Sequence, residues 1–133
     1  MIDIENDVFS EVKQEAVKVF PKLSMKGEEI RVPSEFPCAS LEEIDNYSYD
    51  KTVDSASNEN HAEITFELSV YSNKTSGKKS ECKKIFAFID NLMLDMGFSR
   101  IMKKPQPIED SSVYRLIGRY RGVVDKDKNI YRR

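Results

Sequence analysis

From Ala62 to Val70 the chain alternates without a break. Ala62, Ile64, Phe66, Leu68 and Val70 are apolar, and Glu63, Thr65, Glu67 and Ser69 are polar. Successive side chains of a β-strand leave opposite faces, so a period of two places this segment in a sheet packed on one side and wetted on the other. Such a sheet needs an apolar cover, and two other stretches supply it. Ile4, Val8, Val12, Ala16 and Phe20 recur every four residues, with Val17 widening the stripe, and predict an amphipathic helix from about Asp3 to Val19. Cys82, Ile85, Phe86, Ile89, Leu92, Met93 and Met96 fall at spacings of three and four and predict a second helix over Lys79 to Met96. Pro21 ends the first helix because the residue before a proline is pushed out of the helical region. Gly97 suits the left-handed residue that stops the second.

The remaining segments are shorter or less regular. Residues 21–37 hold three prolines and Gly27 and read as an irregular connection, with a short strand at Ile30–Val32. Cys38 to Ile44 reads as a strand, 47–60 as a long polar loop, and Ser72 to Gly77 as a turn. Phe98 to Met102 starts a strand halted by Pro105 and Pro107; Val113 to Val124 is the last long strand, and residues 130–133 close the domain. The expected fold is a single α+β domain over 1–133: an about four-stranded, mainly antiparallel sheet with two helices packed on one face, and long loops. Loops beyond about 12–15 residues are uncommon in compact domains, so 21–37 and 47–60 suggest either a lid or contacts with a neighbouring subunit.

With 133 residues, one domain is the natural content. The run from Ile85 to Met96 is interrupted by Asp90, Asn91 and Asp95, so no membrane helix is expected, and the acidic start, Met1 to Asp7, lacks the features of a signal peptide. Cys38 and Cys82 stand 44 positions apart with one histidine, His61, to join them. Neither a zinc site nor a disulfide framework is expected, and a reducing cytoplasm is the natural compartment. No GxSxG, P-loop, GxGxxG or HExxH occurs. His61 reads as a surface residue, and Glu42, Glu43 and Asp45 as solvated carboxylates at a strand end. No catalytic residue, cofactor or metal site is expected.

Charge is more informative. Residues 1–97 carry 11 basic and 19 acidic side chains, and residues 98–133 carry 10 basic and 4 acidic. An acidic front and a basic back suit self-complementary assembly or a basic face for a polyanion. On the last strand Arg115, Arg119 and Arg121 share odd parity and leave the sheet on one side, while Tyr114, Leu116, Tyr120 and Val124, with Gly118 and Gly122, take the helix side. Glu63 and Glu67 occupy the wet face of their own strand. If the two strands are neighbours, Glu–Arg pairs follow, each contributing about 0.2–1 kcal/mol. The alternatives are a subunit interface and a surface facing nucleic acid; no aromatic platform interleaves with these arginines for base recognition.

Taken in order, Phe36-Pro37, Ala62 to Asn73, Gly77-Lys78, Ile85 to Leu92, Met96-Gly97-Phe98, Val113-Tyr114-Arg115, Arg119-Tyr120 and Gly122-Val123-Val124 resemble the tail terminator, or tail completion, proteins of long-tailed bacteriophages and prophages. These are often labelled minor capsid or head–tail joining proteins, and the resemblance covers about residues 1–124. It implies a structural virion protein of the tail and neck, assembled in the host cytoplasm. It further implies a homo-oligomeric ring, usually a hexamer, that caps the tail tube protein, ends tube growth and docks on the head connector or stopper protein. DNA would meet it only while passing through the channel, and no enzyme activity or cofactor comes with the family. In such a ring Arg115, Arg119, Arg121, Glu63 and Glu67 are candidates for a subunit boundary or for the channel wall. The alternatives are a head-side connector adaptor or stopper and a small nucleic-acid-binding module.

Overall fold

In a computed structural model, which describes residues 1–30, 32–48 and 61–131, the alternating segment becomes strand β3 (His61–Ser72), the centre of an open six-stranded sheet. Before it come helix α1 (Glu5–Val19), strand β1 (Ser24–Lys26) and strand β2 (Cys38–Ser48); after it come helix α2 (Lys78–Met96), β4 (Ser99–Pro105), β5 (Tyr114–Asp125) and β6 (Ile130–Tyr131). The strand order is β1-β2-β3-β5-β4, with β6 pairing β5. β1 runs parallel to β2, and every other pair is antiparallel.

The α+β class and the two helices agree with the sequence. The count of about four mainly antiparallel strands does not: the sheet is mixed and has six. The two additions are β1 and β6, which are three and two residues long. Neither is long enough to express a period. The short strand expected at Ile30–Val32 also moves: the chain pairs at Ser24–Lys26 instead, and Arg31 lies outside the described residues. β2 is longer than expected, reaching Ser48 with a bulge between Glu43 and Asp45 that breaks its alternation. Of the loop expected at 47–60, Tyr47 and Ser48 belong to β2, and the rest lies outside the described residues.

Helix α1 starts after Asp3, whose carboxylate accepts the Glu5 N–H at 3.2 Å, and Glu5 and Asp7 sit where the helix dipole favours acids. It buries Val8, Val12 and Ala16. Helix α2 buries Cys82, Ile85, Phe86, Ile89, Asp90 and Met93, and ends at Gly97, whose φ of 111° fits glycine. Both helices pack on the even-numbered face of β3, from Ala62 to Val70, together with Ala39 and Leu41 of β2 and Leu116, Tyr120 and Val124 of β5. Among the described residues the opposite face of the sheet carries no helix. A smaller apolar cluster covers one end of it, where Ile30, Phe36 and Ile108 pack on Cys38, Tyr71 and Val113.

Candidate functional site

The helix-free face is read most simply as rows of side chains across the strands, because register places specific residues opposite one another. Glu42 of β2 faces Glu67 of β3, which faces Arg119 of β5, which faces Met102 of β4. The next row on one side is Ser40, Ser69, Ile117 and Lys104; on the other it is Asp45, Thr65, Arg121 and Ser99. All three arginines predicted to leave the sheet together do so, on the face away from the helices.

Each arginine finds a partner within the chain. Arg119 Nε donates to Glu67 Oε2 at 2.9 Å, and Arg121 Nε stands 3.3 Å from Glu63 Oε1, a diagonal pair because Glu63 is opposite Val123. Arg115 is the most buried. Its Nη2 donates to Ser69 Oγ at 3.0 Å and stands 3.8 Å from Glu29 Oε1, while its guanidinium lies 5.2 Å from the Tyr71 ring centre. Tyr71 in turn donates its hydroxyl to the Ile30 carbonyl at 3.0 Å. Burial is the main cause pushing the Tyr71 phenol above its ordinary value, against the pull of Arg115. Arg115 and Tyr71 thus fasten the connection between β1 and β2 onto the sheet. The five candidate residues therefore lie on one face, with Glu63 and Glu67 serving as partners of Arg121 and Arg119 in the same chain.

The charge division along the sequence becomes a division across the sheet. Among the described residues β1 covers β2 only at Cys38–Ser40, so the stretch of β2 that carries Glu42, Glu43 and Asp45 and no base lies at one edge; β4, at the other edge, carries Arg100, Lys103 and Lys104 and no acid. Among the described residues none of the three β2 carboxylates is in ion-pair distance of a cation. Burial raises the Glu42 carboxyl above its usual range, and Glu29, Glu67 and Glu5 push it the same way against a hydrogen bond from the Glu29 backbone. Burial also raises Glu43, with Glu5 and Asp3 adding to it and the hydrogen bond from Asn46 opposing it.

Sequence reasoning missed a buried polar cluster. Asp90, used above only as an interruption of an apolar run, accepts the Tyr120 hydroxyl at 2.6 Å and an Arg100 N–H at 2.9 Å. Its signal was a carboxylate inside the apolar stripe of α2, one turn from Phe86 and from Met93. His61 begins β3 half-buried, and among the described residues its Nδ1 has no hydrogen-bond partner. Cys38 and Cys82 are both free and buried. Among the described residues no three His, Cys, Asp or Glu side chains gather as a metal ion requires, and no helix is long and apolar enough to cross a membrane. No protein-family model and no curated protein matches this chain.

Proposed function

We propose that this protein is a ring-forming tail terminator of a long-tailed phage, capping the tail tube and presenting the surface to which the head connector binds. The observation that carries the reading is the opposition of the two sheet margins. Among the described residues Glu42, Glu43 and Asp45 lie on the stretch of β2 that β1 does not cover, with no cation in ion-pair distance, and Lys103 and Lys104 lie on β4 at the other edge, beside an Arg100 already paired with Asp90. Two different, complementary patches on one subunit make a heterologous contact, and a heterologous contact closes into a ring when its rotation divides a full turn. The raised carboxyls of Glu42 and Glu43 support the same reading, since a cation from a neighbour would relieve them. A nucleic-acid-binding module draws less support, because Arg115, Arg119 and Arg121 already hold partners within the chain.

The test is electron microscopy of particles made without this protein. A terminator stops tube growth and creates the head-binding surface, so its loss leaves filled heads beside separate, unjoined or overlong tails. Normal tails attached to heads would refute the assignment, and heads that leak DNA would favour the stopper.

A further inference from the structure

At one end of the helix layer a groove of about 420 Å³ opens between the C-terminus of α1 and the N-terminus of α2. That volume falls in the range of about 300–1,000 Å³ usual for ligand sites. The groove arises from a local constraint. Pro21 forces Phe20 out of the helix, to φ −121° and ψ 81°, and the chain turns so that the Leu23 N–H reaches the Phe20 carbonyl at 3.0 Å. Val19, Phe20 and Pro21 are thereby held as one apolar wall, with buried Leu23 and Ile85 behind them. Val19 is 53% exposed and so available to a partner. The Phe20 ring is fixed edge-on against Phe88 at 5.7 Å, so the wall is preformed.

Three cations stand around this apolar surface from three different segments: Lys22 after α1, Lys74 before α2, and Lys84 on α2. Among the described residues none of their ammonium groups pairs with a carboxylate. The groove's one acid, Glu81, is engaged by the Ser72 hydroxyl at 2.6 Å. Among the described residues no side chain caps the start of α2, whose positive end adds to the same field.

We infer that this groove docks an acidic amphipathic segment of a partner protein, with bulky apolar side chains against Val19, Phe20 and Pro21 and carboxylates meeting Lys22, Lys74 and Lys84. The spread of the cations decides between occupants of related chemistry. A single-headed amphiphile such as a fatty acid satisfies one cation, whereas a peptide carrying several carboxylates along its length reaches all three. The inference stands apart from the ring, which uses the sheet margins rather than the helix layer.

The chain contains no tryptophan, so a peptide can report its own burial. The probe is a panel of synthetic peptides with one Trp and one Leu at helical spacing flanked by Asp and Glu, beside counterparts with Lys in place of the acids. The acidic peptides should show a saturable blue shift of Trp emission that fades with added salt, and the basic counterparts should show none. Lys22→Glu, Lys74→Glu and Lys84→Glu together should weaken binding about tenfold or more, since each reversal turns an attraction for the peptide's carboxylates into a repulsion. Val19→Asp, on an exposed position, should weaken it independently. No saturable shift across the panel, equal affinity for the charge-reversed protein, or tighter binding of dodecanoate than of any peptide would overturn the inference. Light scattering on the same samples separates the two proposals: absence of a ring with peptide binding intact counts against the terminator reading alone.

Discussion

The ring of Phe86 occupies the space in which a side chain at Gly118 would begin. A Cβ built on Gly118 would stand 2.5 Å from Phe86 Cζ and 2.9 Å from Cε2, far inside van der Waals contact. Gly118 lies on the helix side of β5, so its missing side chain is what lets α2 approach the sheet. Gly122 repeats the arrangement beneath Phe98, at 3.0 Å. Gly118→Ala should therefore destabilise the protein by about 1–3 kcal/mol through overpacking. Phe86→Leu, costly alone, should recover part of that loss in the double variant. Urea midpoints of the four proteins measure this, and additive costs would show that the ring is not the obstacle.

Asp90 joins the helix layer to the sheet through Tyr120 and Arg100. Arg100 is partly exposed and can turn to water, but the Tyr120 hydroxyl is enclosed. Burial, and then its bond to Asp90, push its ionisation above the ordinary phenol value. Asp90→Ala should cost about 1–3 kcal/mol, chiefly from leaving that hydroxyl unsatisfied. Asp90→Asn, which can still accept from Tyr120, should cost less. Equal costs in chemical denaturation would contradict this account.

The thiols set an alkaline limit. Burial pushes Cys38 up to about 11 and Cys82 up to about 12 from the usual 9.0. The folded chain holds these protons to higher pH than the unfolded chain. Their contribution is therefore complete below about pH 9 and is lost as pH rises toward about 11–12, because the unfolded state binds fewer protons there. Stability measured at pH 7, 9 and 10.5 should fall more steeply for the native protein than for a Cys38→Ala, Cys82→Ala variant. Parallel curves would assign the alkaline loss to other groups.

The row Glu42, Glu67, Arg119 places two acids side by side before the base that compensates them. Arg119→Glu puts three carboxylates in one row and should destabilise the chain by about 0.5–1 kcal/mol. Adding Glu67→Arg makes the row alternate acid, base, acid, so the double variant should be at least as stable as the native protein. A double-mutant cycle reads this directly, and a double variant no better than Arg119→Glu alone would show that the row is uncoupled.

Under the ring proposal the margins, rather than the internally paired arginines, govern assembly. Lys103→Glu with Lys104→Glu should shift the mass found by light scattering toward the single subunit. Glu42→Lys with Glu43→Lys in the same chain should partly restore the larger species. An unchanged mass in the first variant would remove the margins from the contact.

Much of this fold is written in local pattern. The alternation from Ala62 to Val70, the stripes of the two helices, Pro21 and Gly97 as their stops, and the shared parity of Arg115, Arg119 and Arg121 all follow from how side chains leave a strand or a helix. Those are properties of consecutive residues, so the sequence by itself determined two helices on one face of a sheet and which side the arginines take. It could not determine which strands are neighbours or in what register, because pairing joins residues far apart in the chain. Only the tertiary structure set Glu67 against Arg119, 52 positions apart, and joined Tyr120 to Asp90. It alone added β1 and β6, whose three and two residues hold no period and exist because a longer strand offers them an edge. The lysine-rimmed groove belongs to the same class, since Lys22, Lys74 and Lys84 share no local pattern and converge only where the ends of α1 and α2 meet.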